Sequence, residues 1–160
     1  MKANNGTGNT IERDVWQTPQ KLWDQLNRQY DFKFDCCADD NNSKCEVWSS
    51  DFLYYDEAFI GESHWINPPF SKAYEMLEHF FKVVGQGVAI YRCDNMETKI
   101  WQDVILKNAT WVLIPPKRIC YEGFEGNGAR FASALIGFNV EPPKEIKGKI
   151  LLIHKKEKPL

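Results

Sequence analysis

Two consecutive prolines, Pro68–Pro69, constrain this chain more than any other feature of its sequence. They follow His64–Ile66, whose β-branched and aromatic side chains predict a buried strand. Neither proline has an N–H to donate, so sheet pairing cannot continue, and Asn67 is pushed toward an extended backbone. The range Ser71–Val84 has helical periodicity, with its first residue as the predicted N-cap. The sequence therefore predicts a strand, a rigid corner and a helix, as at the strand ends where open α/β sheets bind ligands.

The chemistry of this corner suits an amino group. The Asn67 side chain carries one acceptor oxygen and two donor hydrogens, and the prolines hold the Asn67 and Pro68 carbonyls away from any ladder. Together they offer two or three fixed acceptors to one –NH₂ group, and Phe70 adds an aromatic face on which a flat base could stack. Alternatively, Asn-Pro-Pro is an ordinary turn and Phe70 a core residue. The flanking strand and helix favour the functional interpretation.

Length and composition predict one globular domain over residues 14–155, with tails at 1–13 and 156–160. The chain has 160 residues and is 43% hydrophobic. No stretch approaches the roughly 20 apolar residues of a membrane span, and the polar start does not resemble a signal peptide, so we expect no membrane contact and a cytoplasmic location. The net charge of −2 gives no global basic field for nucleic acid, although it permits a local basic face.

The five cysteines predict reduced thiols, because their number is odd and no C-x-x-C spacing occurs. Cys36, Cys37, Cys45 and His64 are the residues from which a zinc site could be assembled. Adjacent cysteines in a strand point to opposite faces, which argues against shared ligation. The sequence therefore predicts no metal site.

Hydrophobic patterns predict strands that alternate with helices and a strand-rich end. Predicted strands cover 32–38, 47–50, 64–66, 88–93, 111–114, 118–121, 133–138 and 150–153, and predicted helices cover 19–31, 53–59, 71–84 and 98–106. Thr18 is the predicted N-cap of the first helix, with Pro19 at its first position. This order predicts an α/β, three-layer αβα sandwich, with early strands parallel through right-handed crossovers and late strands antiparallel.

Several residues near strand ends are candidates for ligand binding. Asp35 lies near the end of the first strand, where a nucleotide-like ligand is often met, and the small residues Cys37 and Ala38 stand where a Gly-rich turn would otherwise be. Asp51 and Phe52 follow the second strand and could contact an adenine, or Asp51 could cap the next helix. Trp16 and Thr18 either cover the first helix or lie near a cofactor.

The ordered set of motifs resembles the phage-type DNA N-6-adenine methyltransferase (Dam-like) family. The resemblance runs from about Trp16 to Phe138. Its carriers are Trp16-x-Thr18-Pro19, Phe34-Asp35-x-Cys37-Ala38, Asn41 with Lys44-Cys45, Asp51 with Leu53, Trp65-x-Asn67-Pro68-Pro69-Phe70-Ser71, Arg118-Ile119 and Ser133-Ala134-Leu135. The Asn-Pro-Pro-Phe motif is shared with other S-adenosylmethionine-dependent amino-group methyltransferases, whereas the ordered set is more specific.

The resemblance implies a Rossmann-like methyltransferase fold with a mixed sheet, S-adenosylmethionine as methyl donor and double-stranded DNA as partner. The implied catalytic residues are Asn67, Pro68, Pro69 and Phe70. The implied cofactor-binding residues are Trp16, Thr18, Pro19, Asp35, Cys37, Ala38, Asp51, Phe52 and Asn67. Candidate DNA-binding residues are Ser71, Lys117, Arg118 and Arg130.

The implied mechanism is direct methylation of a flipped adenine. Phe70 stacks on the base, with Tyr74 as a second aromatic candidate, while the Asn67 side-chain oxygen and the Pro68 carbonyl accept hydrogen bonds from its amine. Cytosine or a protein glutamine is an alternative substrate, and a catalytically decayed module that binds DNA or a host protein is a further alternative. The sequence leaves the recognition sequence, the oligomeric state and the biological role open.

Overall fold

Seven strands form one sheet in this computed structural model, which describes residues 16–55, 62–122 and 131–154. The helices of the described part are α1 (Gln20–Tyr30), α2 (Ala73–Val83) and α3 (Leu106–Asn108). The strands are β1 (Phe34–Asp35), β2 (Val47–Trp48), β3 (Ser63–Ile66), β4 (Gln86–Arg92), β5 (Trp111–Ile114), β6 (Ser133–Phe138) and β7 (Lys149–Leu152). The expected tails, the expected domain limits, Arg130 and residues 56–59 of one expected helix lie outside the described residues.

The sheet is mixed, with strand order β2-β1-β3-β4-β6-β5-β7. β1 pairs parallel with both β2 and β3, and β3 pairs parallel with β4. The pairs β4–β6, β5–β6 and β5–β7 are antiparallel. This confirms the predicted change from parallel to antiparallel pairing along the chain.

Apolar side chains are buried in two clusters that share the strands. In β4, Ala89 packs in one cluster, whereas its neighbours Val88 and Ile90 pack in the other. Because successive strand side chains point to opposite faces, the sheet is covered on both. Helix α2 contributes Leu77 to the first cluster, and helix α1 contributes Leu26 to the second.

Helix α1 begins one residue later than predicted. Pro19 occupies the N-cap position and no side chain caps the helix, so the prediction that Thr18 is the N-cap was wrong. The physical reason is that the Thr18 hydroxyl accepts a hydrogen bond from the Asn67 amide, 3.2 Å away. The helix ends at Tyr30, and its C-cap residue Asp31 has a left-handed φ of 50°, which is common at helix C-termini.

Helix α2 also begins later than predicted, so Ser71 is not its N-cap. A 3-10 turn at Phe70–Lys72 comes first, because the Pro69 carbonyl accepts the Lys72 N–H at 3.0 Å. With the helix starting at Ala73, positions such as Leu77 face the core. Tyr74 is turned by about 100° from Ala73 and is 39% exposed.

Three further expectations need correction. The described part of the predicted helix at 53–59 is not α-helical, because Phe52–Tyr54 form a 3-10 turn and Tyr55 is extended. The predicted helix at 98–106 contains a π-helical segment, Ile100–Ile105, before α3. The predicted strand at 118–121 does not form. Ile119 and Tyr121 instead pack against the second apolar cluster, and the chain then pairs through one bridge, Gln17 with Glu122.

Two more expectations from the sequence concern the cysteines and membrane-spanning helices. All five cysteines are described, and all are free thiols. No helix among the described residues is long and apolar enough to cross a membrane.

We predict that Gly137→Ala destabilises the protein, because a β-carbon there would overlap the indole of Trp111 on the neighbouring strand. Trp111 cannot easily retreat, since it is fully buried and its Nε1 donates to the Val140 carbonyl at 2.8 Å. Overpacking of this kind lowers the free energy of unfolding by about 1–3 kcal/mol, and urea unfolding would measure the loss. In a Trp111→Phe background the clashing indole atoms are absent, so Gly137→Ala should lower the free energy of unfolding by less. An equal loss in both backgrounds would contradict the explanation.

Candidate functional site

The strand order places a crevice between β1 and β3. From β1 the chain goes to β2 on one side and then crosses to β3 on the other, so the order reverses at this point. The three neighbouring strands β1, β3 and β4 are parallel, and their carboxyl ends therefore lie along one edge. In open α/β sheets, ligands bind outside the carboxyl ends of the strands at such a reversal.

A cavity of about 280 Å³ lies at this reversal. It is close to the lower end of the roughly 300–1,000 Å³ typical of small-molecule sites. Its lining combines the residues after β1, the residues at the end of β3 and the segment before α1. The lining residues are Trp16, Gln17, Thr18, Asp35, Cys37, Ala38, Asp39, Asn42, Lys44, Ser50, Trp65, Asn67 and Pro69.

Asp35 is the buried acid of the cavity, with 2% of its surface exposed. Burial raises the pKa of its carboxyl from 3.8 to about 6. Backbone N–H groups oppose that rise: Lys44 donates to Oδ2 at 2.9 Å and Cys37 to Oδ1 at 3.2 Å. The pKa of Asp35 thus lies closer to neutral pH than that of an ordinary aspartate, as is common for groups at functional sites.

Asp39 and Asn42 form a turn on the wall of the cavity. The Asp39 Oδ1 accepts the backbone N–H groups of Asn41 and Asn42, and the Asn42 Oδ1 accepts that of Asp39 at 2.8 Å. These reciprocal bonds fix the backbone between Ala38 and Lys44. The turn is therefore part of the candidate site as well as being a locally stabilised loop.

Lys44 brings a positive charge to the same cavity. Its Nζ donates to the Gln20 Oε1 at 2.7 Å, on the first turn of α1. Partial burial lowers the pKa of Lys44, while Glu122 and Asp35 act in the opposite direction. An acid and a cation therefore line one cavity, and their charges suit a zwitterionic ligand.

The amide of Asn67 has a defined orientation. Its Nδ2 donates to the Trp16 carbonyl and to the Thr18 Oγ1, both at 3.2 Å. A backbone carbonyl can only accept, so the nitrogen must face Trp16 and the Oδ1 must face elsewhere. Asn67 also lines the cavity, and no other described residue donates a hydrogen bond to its Oδ1.

The rest of the corner consists of the Pro68 carbonyl and the Phe70 ring. Within the described residues, the buried Pro68 accepts no hydrogen bond through its carbonyl, whereas the Pro69 carbonyl is used by Lys72. The half-buried Phe70 ring packs against Trp16 at 6.1 Å and Phe131 at 5.3 Å between centroids, both near perpendicular. Phe70 is absent from the cavity lining, but Trp16 connects it to that lining.

Arg92 and Asp94, at the end of β4, flank this aromatic group. The guanidinium lies 4.6 Å from the centroid of the Phe131 ring and 5.8 Å from that of Phe70. It also forms a two-pronged ion pair with Asp94, at 2.7 and 2.6 Å, which lowers the pKa of that carboxyl. Arg118 adds to this lowering through its charge, so it lies near the same edge of the sheet.

The cavity brings together six of the nine residues predicted to bind a cofactor. Trp16, Thr18, Asp35, Cys37, Ala38 and Asn67 line the cavity, and Pro69 of the corner joins them. Three predicted cofactor contacts, Pro19, Asp51 and Phe52, do not line the cavity. Pro19 occupies the N-cap position of α1, and Phe52 is buried in the core against His79. The Asp51 carboxylate accepts a hydrogen bond from the Ser49 hydroxyl. Ser71, Lys117 and Arg118 are exposed, and Arg130 lies outside the described residues.

Sequence reasoning missed six lining residues: Gln17, Asp39, Asn42, Lys44, Ser50 and Trp65. Asp39 and Asn42 look like an ordinary polar turn, and Trp65 like an ordinary strand residue. Lys44 carried a signal, because it belongs to the ordered motif set, but its distance from Asp35 along the chain concealed their proximity. Ser50 directly precedes the candidate Asp51.

The topology and cavity define an α/β protein with a candidate ligand site at the carboxyl ends of parallel strands and an amide-bearing corner beside it. The chain belongs to the DNA N-6-adenine-methyltransferase (Dam) family, whose family model matches residues 6–158. This confirms the family resemblance of the motifs and identifies the general activity of the family as adenine N6 methylation of DNA. A search among curated proteins found no match.

We predict that the Asp35 carboxyl titrates near pH 6, as followed by ¹³C NMR and assigned by its loss in Asp35→Asn. Between about pH 4 and 6 the folded protein binds this proton and the unfolded chain does not. The free energy of unfolding therefore falls as the pH rises through that window. Lys44→Met should raise the pKa further, because the positive charge lowers it. Lys107 is exposed and lies outside the cavity lining, so Lys107→Met should leave the pKa of Asp35 unchanged. A titration midpoint near pH 4 for Asp35 in the wild-type protein would refute the burial argument.

Proposed function

We propose that this protein transfers a methyl group from S-adenosylmethionine to the exocyclic amino group of adenine in double-stranded DNA. The observation that carries the proposal is the Asn67 amide, whose nitrogen is bound by Trp16 and Thr18 while its oxygen is left as an acceptor beside the cavity. Family membership supplies the reaction class. We infer a Rossmann-like three-layer sandwich for the fold, which the two apolar clusters of the sheet support.

The charged residues of the cavity suit S-adenosylmethionine. The methionine end of that molecule carries an ammonium and a carboxylate, which Asp35 and Lys44 complement. Cys37 and Ala38 have small side chains that allow close approach of a ligand to the backbone. When bound, the cofactor supplies an electrophilic methyl group on a positively charged sulfur. Pro19, Asp51 and Phe52 remain proposed cofactor contacts that do not line the cavity.

The corner would bind the adenine amine. In this proposal the Asn67 Oδ1 and the Pro68 carbonyl accept its two N–H groups, which directs the nitrogen lone pair toward the methyl carbon. Asp35 and Lys44 would hold the cofactor that supplies the methyl group, and the amine bound by Asn67 and Pro68 would release one proton to solvent as it is methylated. Acceptors fixed before the reaction stabilise the positive charge that develops on nitrogen.

Phe70 is proposed to stack on the flipped base, next to Trp16 and Phe131. Aromatic stacking is typical of proteins that hold an extruded base. Ser71, Lys117, Arg118 and Arg130 are the proposed contacts to DNA phosphates. Arg118 supports this placement, because its charge acts on Asp94 at the same sheet edge as the corner. We propose a cytoplasmic location for such a protein.

We predict that Asn67→Ala lowers methyl transfer at least about 100-fold, because the amine loses a fixed acceptor. The measurement is transfer of labelled methyl groups to unmethylated DNA, followed by digestion to nucleosides. Asn108→Ala is the matched control, since that amide donates to the Val104 carbonyl at 2.7 Å away from the cavity. Normal transfer by Asn67→Ala would contradict the proposal.

The labelled product decides between the candidate substrates. Label in methyladenosine supports the proposal, whereas label in methylcytosine would keep the corner chemistry and replace the substrate. Label on protein alone would favour glutamine. Absence of both transfer and cofactor binding, tested by calorimetry on the wild-type protein, would favour a module that only binds DNA or another protein.

We predict that Phe70→Ala weakens DNA binding by about 1–3 kcal/mol, the usual contribution of one base stacked on an aromatic ring. Fluorescence anisotropy with a DNA duplex measures the loss, and Phe70→Tyr should retain affinity because it keeps the ring. Phe138→Ala controls for lost packing, since that half-buried ring contacts Phe81 at 5.3 Å at the opposite end of β4. Unchanged DNA affinity in Phe70→Ala would refute the stacking role.

A further inference from the structure

The segment Trp16–Thr18 is held rigidly against the candidate site. Gln17 and Glu122 exchange two backbone hydrogen bonds, both of 2.8 Å, in an isolated antiparallel bridge. The Trp16 ring stacks on Phe131 at 5.7 Å between centroids and is 6% exposed. Thr18 is only 1% exposed. The two acceptors that this segment offers, the Trp16 carbonyl and the Thr18 hydroxyl, therefore have fixed positions.

Both acceptors meet one side chain, the Asn67 amide. The two donor hydrogens of Nδ2 match the two oxygens, each 3.2 Å away. If the amide turned over, its oxygen would face the Trp16 carbonyl, and two acceptors in contact repel each other. The segment before α1 thus determines which atom of Asn67 remains for a ligand.

We propose that Thr18 and the Trp16 carbonyl are positioning groups that hold the Asn67 oxygen toward the reacting amine and make this site selective for Asn over Asp at position 67. The inference rests on the proposed function and goes beyond it, because Thr18 acts through Asn67 instead of through the cofactor. A carboxylate at position 67 has no hydrogen to donate to Trp16. It can make the contact with the Trp16 carbonyl only when protonated, since its O–H then replaces one amide N–H.

The first experiment separates positioning from cofactor contact. Thr18→Val removes the hydroxyl at nearly constant volume, so we expect kcat to fall about tenfold while the Kd for S-adenosylhomocysteine, measured by calorimetry, changes less than about threefold. Thr18→Ser should restore kcat. Thr110→Val is the matched control: its hydroxyl is also buried and accepts a backbone N–H, from Asn139 at 2.8 Å, away from the cavity. Loss of binding with unchanged kcat would overturn the proposal.

The second experiment does not need activity. The side-chain amide resonances of Asn67 are assigned in ¹⁵N NMR spectra by their loss in Asn67→Ala. We expect Thr18→Val to shift these resonances and to speed their hydrogen exchange, whereas Thr110→Val leaves them unchanged. Unchanged Asn67 resonances in Thr18→Val would overturn the positioning role. Since this arm reads the amide directly, it stands even if the wild-type protein transfers no methyl group and the proposed function fails.

The third experiment tests selectivity for Asn. In Asn67→Asp we expect the new carboxyl to titrate well above the ordinary value of about 3.9 in ¹³C NMR spectra, because the Trp16 carbonyl disfavours its charged form. Relative to wild type at each pH, its transfer rate should rise as the pH falls from 8.5 to 5.5. An ordinary pKa together with full activity at pH 8.5 would overturn the proposal.

Discussion

The two hydrogen bonds from the Asn67 amide connect the parts of the chain on which the site depends. Asn67 follows β3 directly, while its acceptors belong to the segment before α1. That segment is in turn bridged to Glu122 and stacked on Phe131. One amide thus joins the central strands to Trp16 and Thr18, which lie 51 and 49 residues away along the chain. Its orientation follows from the chemistry of its partners.

The fold makes this arrangement possible by ending parallel strands at one edge. Asp35 ends β1 and Asn67 follows β3, and these strands are neighbours because the chain reverses its order between them. The prolines after Asn67 stop the ladder, so the polar groups there are not consumed by sheet pairing. Charge, an amide and aromatic rings therefore meet at one crevice, which is the general location for ligands in such sheets.

The two wrong predictions of helix N-caps arise from contacts near the candidate site. Thr18 and Ser71 both have side chains typical of N-caps, and neither serves as one. The Thr18 hydroxyl is used by Asn67, and the Pro69 carbonyl draws Phe70–Lys72 into a tighter turn before α2. Local propensity was overridden where tertiary contacts near the candidate site offered a competing partner.

The sequence by itself determined the strand–corner–helix unit, most of the order of strands and helices, and the family, because these depend on local periodicity, on proline chemistry and on motif order. Only the tertiary structure decided which residues share the cavity, since Lys44, Gln17 and Asn67 meet through strand order and a single bridge instead of through proximity along the chain. It also decided which way the Asn67 amide faces, because that requires the positions of two distant acceptors.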